Sequence, residues 1–385
     1  MANNKNFKVK NGLSATRYLQ SGTAVAASDV DMSSGSYFTK TLSAANTTFT
    51  FSNPPTSGTA GSFALEVTGA DVLVAYDLSI AAYDNKTLSV TSQDLDIAGV
   101  LFKTDGTKMY VLGLVNRAVY QYSLTTAFDL STASYDSVSF GVSSQEASPQ
   151  SFSFKPDGTK MYVVGSWTDT VFQYSLSTAW DISTASYDSV SFSVSSQSLV
   201  PHGLFFKPDG TNFYICDAFN NQVFQYTLST AWDLTSSSYT RTFDAATAGT
   251  EAYQELTFKP DGTKMYIMDA FNKEVEEYTL STAWDISTAS FVQVFLVTSQ
   301  DANAKGLTFK PDGTKMYIAG EDTGRIYQYT TGSTVNATIT YPYSVKWAGA
   351  TTPDAPAVGE KDVYTFVTTD GGTTYYGKQA GDAVA

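Results

Sequence analysis

The amino-acid sequence predicts an all-β protein in which a five-bladed β-propeller is inserted into a small β-sandwich-like domain. The 385-residue chain contains 25 Tyr and 24 Phe and shows no long apolar helix pattern, a composition typical of β-sheet proteins. The tripeptide Asp-Gly-Thr recurs five times at intervals of 52, 52, 52 and 51 residues, beginning at Asp105, Asp157, Asp209, Asp261 and Asp312. A fixed period of about 50 residues made of short β segments indicates a β-propeller.

Each repeat is predicted to form one blade of four antiparallel strands. In the second repeat, strand A covers residues 151–155 and strand B covers 161–164. They are joined by a Pro-Asp-Gly-Thr turn at 156–159, in which proline restricts φ and glycine supplies a positive φ. Strand C follows at 171–176, and a polar link leads to strand D at 187–194.

The two ends of the repeat region predict the number of blades. Residues 76–84 align without a gap on residues 180–188, so the chain first supplies a lone strand D. At the other end, residues 325–329 form a strand C that no strand D follows. These partial repeats complete one another and close a ring of five blades over residues 71–332, which removes free sheet edges. The chain enters and leaves the ring at the same link, a geometry suited to an inserted domain.

The segments on either side of the propeller are predicted to form one split domain. Residues 35–70 and 333–385 each contain too few β runs to bury a core alone. Together they supply six or seven strands, enough for a small β-sandwich. Residues 1–34 are polar, and we expect an N-terminal arm or attachment segment there, with plain disorder as the alternative.

Charge and composition exclude several classes of partner. The formal net charge is −14 and there is no basic block, so we expect no nucleic-acid partner and no attraction to an anionic membrane. No apolar run is long enough for membrane insertion, and no apolar segment near the N-terminus reads as a signal peptide. The single cysteine, Cys216, cannot form an intrachain disulfide, and we expect it to be a buried apolar residue.

The flanking segments resemble a module of tail-fibre and other virion structural proteins of tailed bacteriophages. The resemblance rests on residues 7–13, 37–42, 49–55, 62–67, 345–349 and 362–377 and on Pro353. The repeats themselves, as at 154–163, resemble YVTN-type propeller repeats. The resemblance implies a non-enzymatic virion structural protein, located in the virion and made in the host cytoplasm. It also implies other virion proteins as partners, assembly as a homo-oligomer and recognition of a host-surface glycan or protein.

The propeller has two faces that differ in how much the repeats vary. The A–B turns and C–D links form one face, here called the turn face, and they are nearly the same in every repeat, as a structural role requires. Calcium binding there is disfavoured because each turn offers one carboxylate. The B–C and D–A connections form the opposite face, called the loop face, and they diverge strongly.

The loop face is the predicted binding surface. Aromatic rings interleaved with Asn, Asp, Gln and Arg suit saccharide recognition, although unconstrained loops would also diverge. The predicted ligand-binding residues are Trp167, Asp169, His202, Phe219, Asn220, Asn221, Tyr253, Phe271, Asn272, Glu321, Asp322 and Arg325.

Two other functions stay open at the sequence level. A polysaccharide-processing, glycosidase-like enzyme would use acids near the loop face, namely Asp217, Asp269, Glu251 and Glu321. Asp217 and Asp269 would form its acid/base pair, unless they only stabilise the B–C turns. The third possibility is an architectural decoration without a ligand. No cofactor is predicted, and a lactonase-type metal site is disfavoured because His202 is the single histidine and no tight carboxylate cluster is evident.

Overall fold

A computed structural model of the protein describes residues 22–25, 27–244 and 252–383. These residues form β-strands and five short 3-10 turns, and the predicted fold class, all-β with a five-bladed propeller, is confirmed. The chain divides into two compact units: residues 75–333, and the residues before 75 together with those after 333. No helix in the described part of the chain is long and apolar enough to cross a membrane. The predicted arm at 1–34 lies mostly outside the described residues.

The unit at 75–333 is the propeller, and each blade is an antiparallel sheet with strand order A-B-C-D. In that order the strands are Ile97–Phe102, Lys108–Gly113, Ala118–Leu124 and Ala133–Gly141 in blade 1; Pro149–Phe154, Lys160–Gly165, Thr170–Leu176 and Ala185–Ser193 in blade 2; Pro201–Phe206, Asn212–Asp217, Gln222–Leu228 and Ser237–Asp244 in blade 3; Tyr253–Phe258, Lys264–Asp269, Glu274–Leu280 and Ala289–Leu296 in blade 4; Ala304–Phe309, Lys315–Gly320, Arg325–Thr330 and Ala82–Ser89 in blade 5.

The fifth blade closes the ring with strands from both ends of the unit. Its strand D, Ala82–Ser89, pairs with its strand C, Arg325–Thr330, in the register Arg325↔Ser89 and Thr330↔Ala82. The five innermost A strands lie next to one another around the axis and enclose the axial channel. Closure pairs the last blade with the first entering strand, so that no blade lacks its outer strand.

Each Asp-Gly-Thr turn is held together by its own aspartate. In blade 2, Asp157 Oδ1 accepts hydrogen bonds from Thr159 N at 2.9 Å and Thr159 Oγ1 at 2.6 Å, while Oδ2 pairs with Lys155 Nζ at 2.7 Å. The same contacts recur in blade 1, where the Lys103 ammonium and the Thr107 hydroxyl lower the pKa of Asp105 to about 2. The turn aspartates are therefore occupied by local structure.

The C–D link of each blade covers the turn and joins the blade to its neighbour. It contains a 3-10 turn (Leu78–Ile80, Leu130–Thr132, Ile182–Thr184, Leu234–Ser236 or Ile286–Thr288). An aromatic ring before this turn lies on the glycine of the Asp-Gly-Thr turn, as Trp180 does on Gly158. A buried strand B tyrosine donates a hydrogen bond to the carbonyl of that aromatic residue in the next blade, for example Tyr162 OH to Trp232 O at 3.1 Å. All five blades make this contact, which completes a ring of hydrogen bonds.

Replacing Gly158 by Ala should destabilise the propeller by about 2–4 kcal/mol. Gly158 has φ +73°, and a Cβ atom there would overlap with the Trp180 ring. Gly141 is the matched control, because a Cβ atom there meets nothing within 4 Å. Urea unfolding should place Gly141→Ala within about 0.5 kcal/mol of the wild type. Equal losses in both variants would contradict this role of the turn glycine.

The second unit is built from chain segments on both sides of the propeller. Its six-stranded sheet has the order Thr23–Ala24, Tyr37–Thr41, Gly61–Thr68, Lys361–Thr368, Tyr375–Gly381 and Val345–Trp347. Three two-stranded sheets accompany it: Asp29–Asp31 with Thr50–Ser52, Asn46–Thr48 with Thr338–Thr340, and Asp71–Val74 with Ser333–Asn336. The two halves of the chain meet where Gly61–Thr68 pairs antiparallel with Lys361–Thr368, and Phe49, Phe63 and Phe366 lie in one shared core.

Candidate active site in the axial channel

The loop face carries exposed apolar side chains at equivalent positions of four B–C loops. Trp167 is 74% exposed and Phe219 79%, and Val115 and Phe271 are also more than half exposed. The fifth blade has Asp322 at this position, which is exposed as well. The predicted aromatic residues of the loop face are thus at the surface, with the exception of Tyr253, which is fully buried and donates its OH to Glu276 Oε2 at 3.1 Å.

Each B–C loop is held by a buried carboxylate that accepts hydrogen bonds from the loop backbone. The carboxylate belongs either to the D–A loop or to the last residue of strand B. In blade 1, strand B ends in Gly113, and Asp94 of the D–A loop accepts from Asn116 N at 2.9 Å and Val115 N at 3.2 Å. Glu146 and Asp301 serve blades 2 and 5 in the same way. In blades 3 and 4 the anchor is the last residue of strand B, Asp217 or Asp269.

Asp217 and Asp269, the candidates for an acid/base pair, are two of these loop-holding carboxylates. Asp217 and Asp269 are fully buried, and Oδ1 of each accepts from two peptide N–H groups of its own loop, at 2.5–3.2 Å. Ser198 also donates to Asp217, and Asn272 donates to Asp269. Their carboxylates therefore serve as loop anchors. Glu251 lies outside the described residues.

Some of the remaining residues predicted to bind a ligand lie at the ends of B–C loops, and others lie in the channel. Asp169 and Asn221 end their loops with φ of 51° and 58°, and one buried side-chain oxygen of each has no hydrogen-bond partner among the described residues. Burial raises the pKa of Asp169, with further contributions from the charges of Glu146 and Asp217. Asn220 N donates to Asp217, and Arg325 is exposed.

The channel is polar at its loop-face end. His202 Nδ1 lies 2.6 Å from Gln254 Oε1, and Lys305 Nζ pairs with Glu321 Oε1 at 2.7 Å. Burial lowers the pKa of His202 to about 4, so the imidazole is uncharged at neutral pH. Since Glu321 neutralises Lys305, this end of the channel holds hydrogen-bonding groups with little net charge.

One carboxyl group lies in the middle of the channel. Glu255 is 7% exposed and comes from strand A of blade 4. Its Oε2 accepts from Ser151 Oγ of blade 2 at 2.7 Å, and its Oε1 accepts from Leu256 N at 3.0 Å. In blade 3, Gly203 leaves room for it, because a Cβ atom there would lie 2.8 Å from Glu255 Oε1. Burial raises the pKa of Glu255 to about 8.

A cavity of about 250 Å³ occupies the channel toward the turn face, and Glu255 is part of its wall. All five blades contribute to the lining, which includes Leu101, Phe205, Trp180 and Trp232. The cavity thus combines an apolar lining with one carboxyl group among its described lining residues, and burial raises the pKa of that group to about 8. Such a group in a cavity is a candidate for proton transfer.

Sequence reasoning missed Glu255 and Ser151. The signal that could have found them is the set of equivalent positions Gly99, Ser151, Gly203, Glu255 and Gly306, where one acidic residue stands among residues with small side chains. In a strand that lines a channel, a single large charged residue in such a set fills the space that the others leave open.

Three carboxylates on the outer part of blade 4 also lie close together. Oxygen atoms of Asp269, Glu274 and Glu276 all fall within 4.8 Å of one another. Glu276 accepts hydrogen bonds from Tyr253 and Tyr278, and Asp269 anchors its loop. Asp269 and Glu276 are thus engaged in structural hydrogen bonds.

The fold and the channel define a β-propeller with a buried carboxyl group on its axis. The chain belongs to the family described as "Lactonase, 7-bladed beta-propeller", which matches residues 110–335. Five blades are present here, in contrast to the seven of the family description. A search of curated proteins gave no match.

Several solved structures are similar to this chain at low sequence identity. A candidate 6-phosphogluconolactonase from Bacteroides uniformis is 15% identical, covers 60% of this chain and 67% of its own, and has a TM-score of 0.39. A second candidate 6-phosphogluconolactonase, from Bacteroides fragilis, is 16% identical, covers 60% of this chain and 67% of its own, and has a TM-score of 0.38. The Cps50 (Swd1) propeller domain of Myceliophteria thermophila is 12% identical, covers 65% of this chain and 99% of its own, and has a TM-score of 0.40.

The family membership corrects the functional prediction from sequence. The chain was expected to be a non-enzymatic phage virion protein that displays a glycan-recognition surface, and this prediction is wrong, because the propeller belongs to a lactonase family. The recognition of propeller repeats is confirmed. The resemblance to a tail-fibre module rested on the flanking segments, whereas the family match lies almost wholly within the propeller. The expected self-association stays a prediction.

Proposed function

We propose that the protein is an enzyme that hydrolyses a lactone in the axial channel, with Glu255 as the general base. The observation that carries the proposal is a carboxyl group with a pKa of about 8 in the wall of the axial cavity, in a chain of the lactonase propeller family. A base with a pKa near the working pH is present in its reactive form and still accepts a proton readily.

The proposed reaction adds one water molecule to the lactone. The Glu255 carboxylate accepts a proton from the water as the water oxygen bonds to the lactone carbonyl carbon. The ring C–O bond then breaks, and the departing oxygen takes the proton from Glu255. The product is the open-chain hydroxy acid, and the carboxylate is regenerated.

Other groups of the channel hold the base and complete the site. Ser151 Oγ and Leu256 N fix the two carboxylate oxygens, and Leu204 N in turn donates to Ser151 Oγ at 3.2 Å. The peptide N–H groups of Leu204 and Leu256 therefore point toward the axis. We assign stabilisation of the oxyanion to the N–H groups at the equivalent positions, Phe152 and Leu307, because peptide donors in a water-poor site stabilise developing negative charge.

The channel suits ester hydrolysis better than glycoside hydrolysis. Glycosidases usually place two carboxyl groups about 5–10 Å apart across the scissile bond. Among the described residues that line the axial cavity, Glu255 is the single carboxyl group. A lactone requires one base and a set of oxyanion donors, which the channel can supply.

The pH dependence of kcat/KM tests the proposal. Because Glu255 must be deprotonated to act as a base, kcat/KM should rise about tenfold per pH unit below pH 8 and level off above it. Initial rates with δ-decanolactone from pH 6 to 9.5, corrected for spontaneous hydrolysis, give this profile. A profile that falls with pH, or an absence of catalysed hydrolysis at every pH, would refute the role of Glu255.

A further inference from the structure

We infer that the substrate is an uncharged lactone with an apolar body, and not a phosphorylated sugar lactone. The inference rests on the proposed function and concerns the same cavity. Its wall contains aliphatic and aromatic side chains from all five blades, with Ser153, Thr257, Thr308 and Glu255 among its polar residues. Among the described residues that line the cavity, none is Lys or Arg. A phosphate group in this enclosure would therefore be desolvated without a cationic partner, which is strongly unfavourable.

The lysines closest in sequence to the cavity lining are already neutralised. Thr104, Pro156, Pro208, Pro260 and Pro311 line the cavity, and each lies between a lysine and an aspartate of its turn. The five lysine–aspartate pairs have Nζ–Oδ2 distances of 2.7–2.8 Å: Lys103 with Asp105, Lys155 with Asp157, Lys207 with Asp209, Lys259 with Asp261 and Lys310 with Asp312. A phosphate dianion would have to compete with these aspartates for each of the five turn lysines.

Lys305 and His202 are the basic side chains placed at the opposite end of the channel, whereas Lys273 and Arg325 of the loop face do not line the axial cavity. Lys305 pairs with Glu321, and His202 is uncharged at neutral pH because burial lowers its pKa. Glu255 adds negative charge once it is deprotonated, which would repel a phosphate further. The charges at both ends thus favour a neutral substrate, and the apolar walls favour one with an alkyl or other apolar part.

A substrate series on the full-length protein tests this inference. The kcat/KM of neutral δ-lactones should rise about fourfold for each added methylene that enters the cavity, which corresponds to about 0.8 kcal/mol. 6-Phosphogluconolactone should be hydrolysed at least tenfold less efficiently than δ-decanolactone. The reverse preference would overturn the inference while leaving the proposed function intact. No hydrolysis of any lactone would instead overturn the proposed function.

Binding of a lactam separates the two claims. A neutral alkyl δ-lactam resists hydrolysis, and its binding should change the fluorescence of Trp180 and Trp232, which line the cavity. Saturable binding of the lactam supports the apolar cavity as a binding site even if no lactone is turned over. A fluorescence change with inorganic phosphate but not with the lactam would overturn the inference.

A charge introduced into the wall should reverse the preference. Ser153 is a partly exposed residue of the lining, and Ser153→Lys should raise the ratio of kcat/KM for the phosphorylated over the neutral lactone at least tenfold. Ser191→Lys is the matched control, because Ser191 is exposed on strand D of the same blade. It should leave the ratio unchanged. An equal shift in both variants, or none in Ser153→Lys, would count against the cavity as the determinant.

Discussion

Replacing Glu255 by Gln should lower kcat/KM for lactone hydrolysis by about 10²–10⁴-fold and leave the propeller folded. The amide keeps the shape of the carboxyl group, and its oxygen can accept from Leu256 N while its NH2 group donates to Ser151 Oγ, but it does not accept a proton from water. Initial rates at pH 8.5 measure the effect. Glu321→Gln is the matched control, since Glu321 lies at the other end of the channel, and it should retain hydrolysis.

The same substitution should change how stability depends on pH. The pKa of Glu255 is raised from 4.5 to about 8 in the folded protein, so the folded state retains a proton that the unfolded state releases. This contribution to the free energy of unfolding is fully present below about pH 4.5 and is lost as pH rises through 8. A difference of one pH unit between the folded and unfolded pKa corresponds to roughly 1.4 kcal/mol, so the loss should reach several kcal/mol.

Urea unfolding at pH 5 and pH 8.5 checks this effect of Glu255. The wild type should lose more stability than Glu255→Gln between the two values, because the variant has no group that titrates at this site. Parallel losses in the two proteins would show that Glu255 is not held protonated by burial. Activity and stability thus report on the same carboxyl group by independent measurements.

The second large effect concerns the carboxylate that anchors a B–C loop. Asp94→Ser should destabilise the protein by about 2–4 kcal/mol, because it removes a buried carboxylate that accepts from the N–H groups of both Val115 and Asn116. Gly113→Asp alone should also destabilise, since its Cβ atom would overlap with the Asp94 side chain. The double variant reproduces blade 3, where Ser198 stands opposite Asp217.

A double-mutant cycle of Asp94→Ser and Gly113→Asp measures the effect of moving the carboxylate from the D–A loop to the end of strand B. The double variant should recover to within about 1 kcal/mol of the wild type, so the two changes should be strongly non-additive. Neither single variant should show this recovery. Additive losses would mean that the carboxylate cannot be supplied from the end of strand B in this blade.

The fold was predictable from sequence because its determinants are local. The Asp-Gly-Thr turn contains its own acceptor, its own lysine and the glycine that its φ requires, so Asp157 and Gly158 identify it without tertiary information. The partial repeats at the two ends identified the closing blade. Strand ends shifted by a few residues, as in strand A of blade 2, which begins at Pro149 where residue 151 was expected.

The candidate site was not predictable in the same way. Glu255 lies in the middle of a strand, and its side chain is buried against Ser151 of blade 2 and Gly203 of blade 3. This burial raises the pKa of Glu255, and the hydrogen bond from Ser151 offsets only part of the rise. These contacts join three blades, and the sequence points to them only through the equivalent repeat positions, where Glu255 stands among Gly and Ser. Sequence divergence predicted a binding surface at the loops instead. Buried carboxylates such as Asp217 hold the loop backbone there.

A crystal structure of the protein with a bound neutral alkyl δ-lactam would show directly whether Glu255 and the axial cavity form the substrate site. We expect the lactam in the axial cavity, with its carbonyl carbon about 3–4 Å from a Glu255 oxygen or from a water bound to it. We also expect the alkyl chain to pack against Phe205, Trp180 and Trp232. A lactam bound on the loop face, or a cavity in which Glu255 faces away from the ligand, would contradict lactone hydrolysis in the channel.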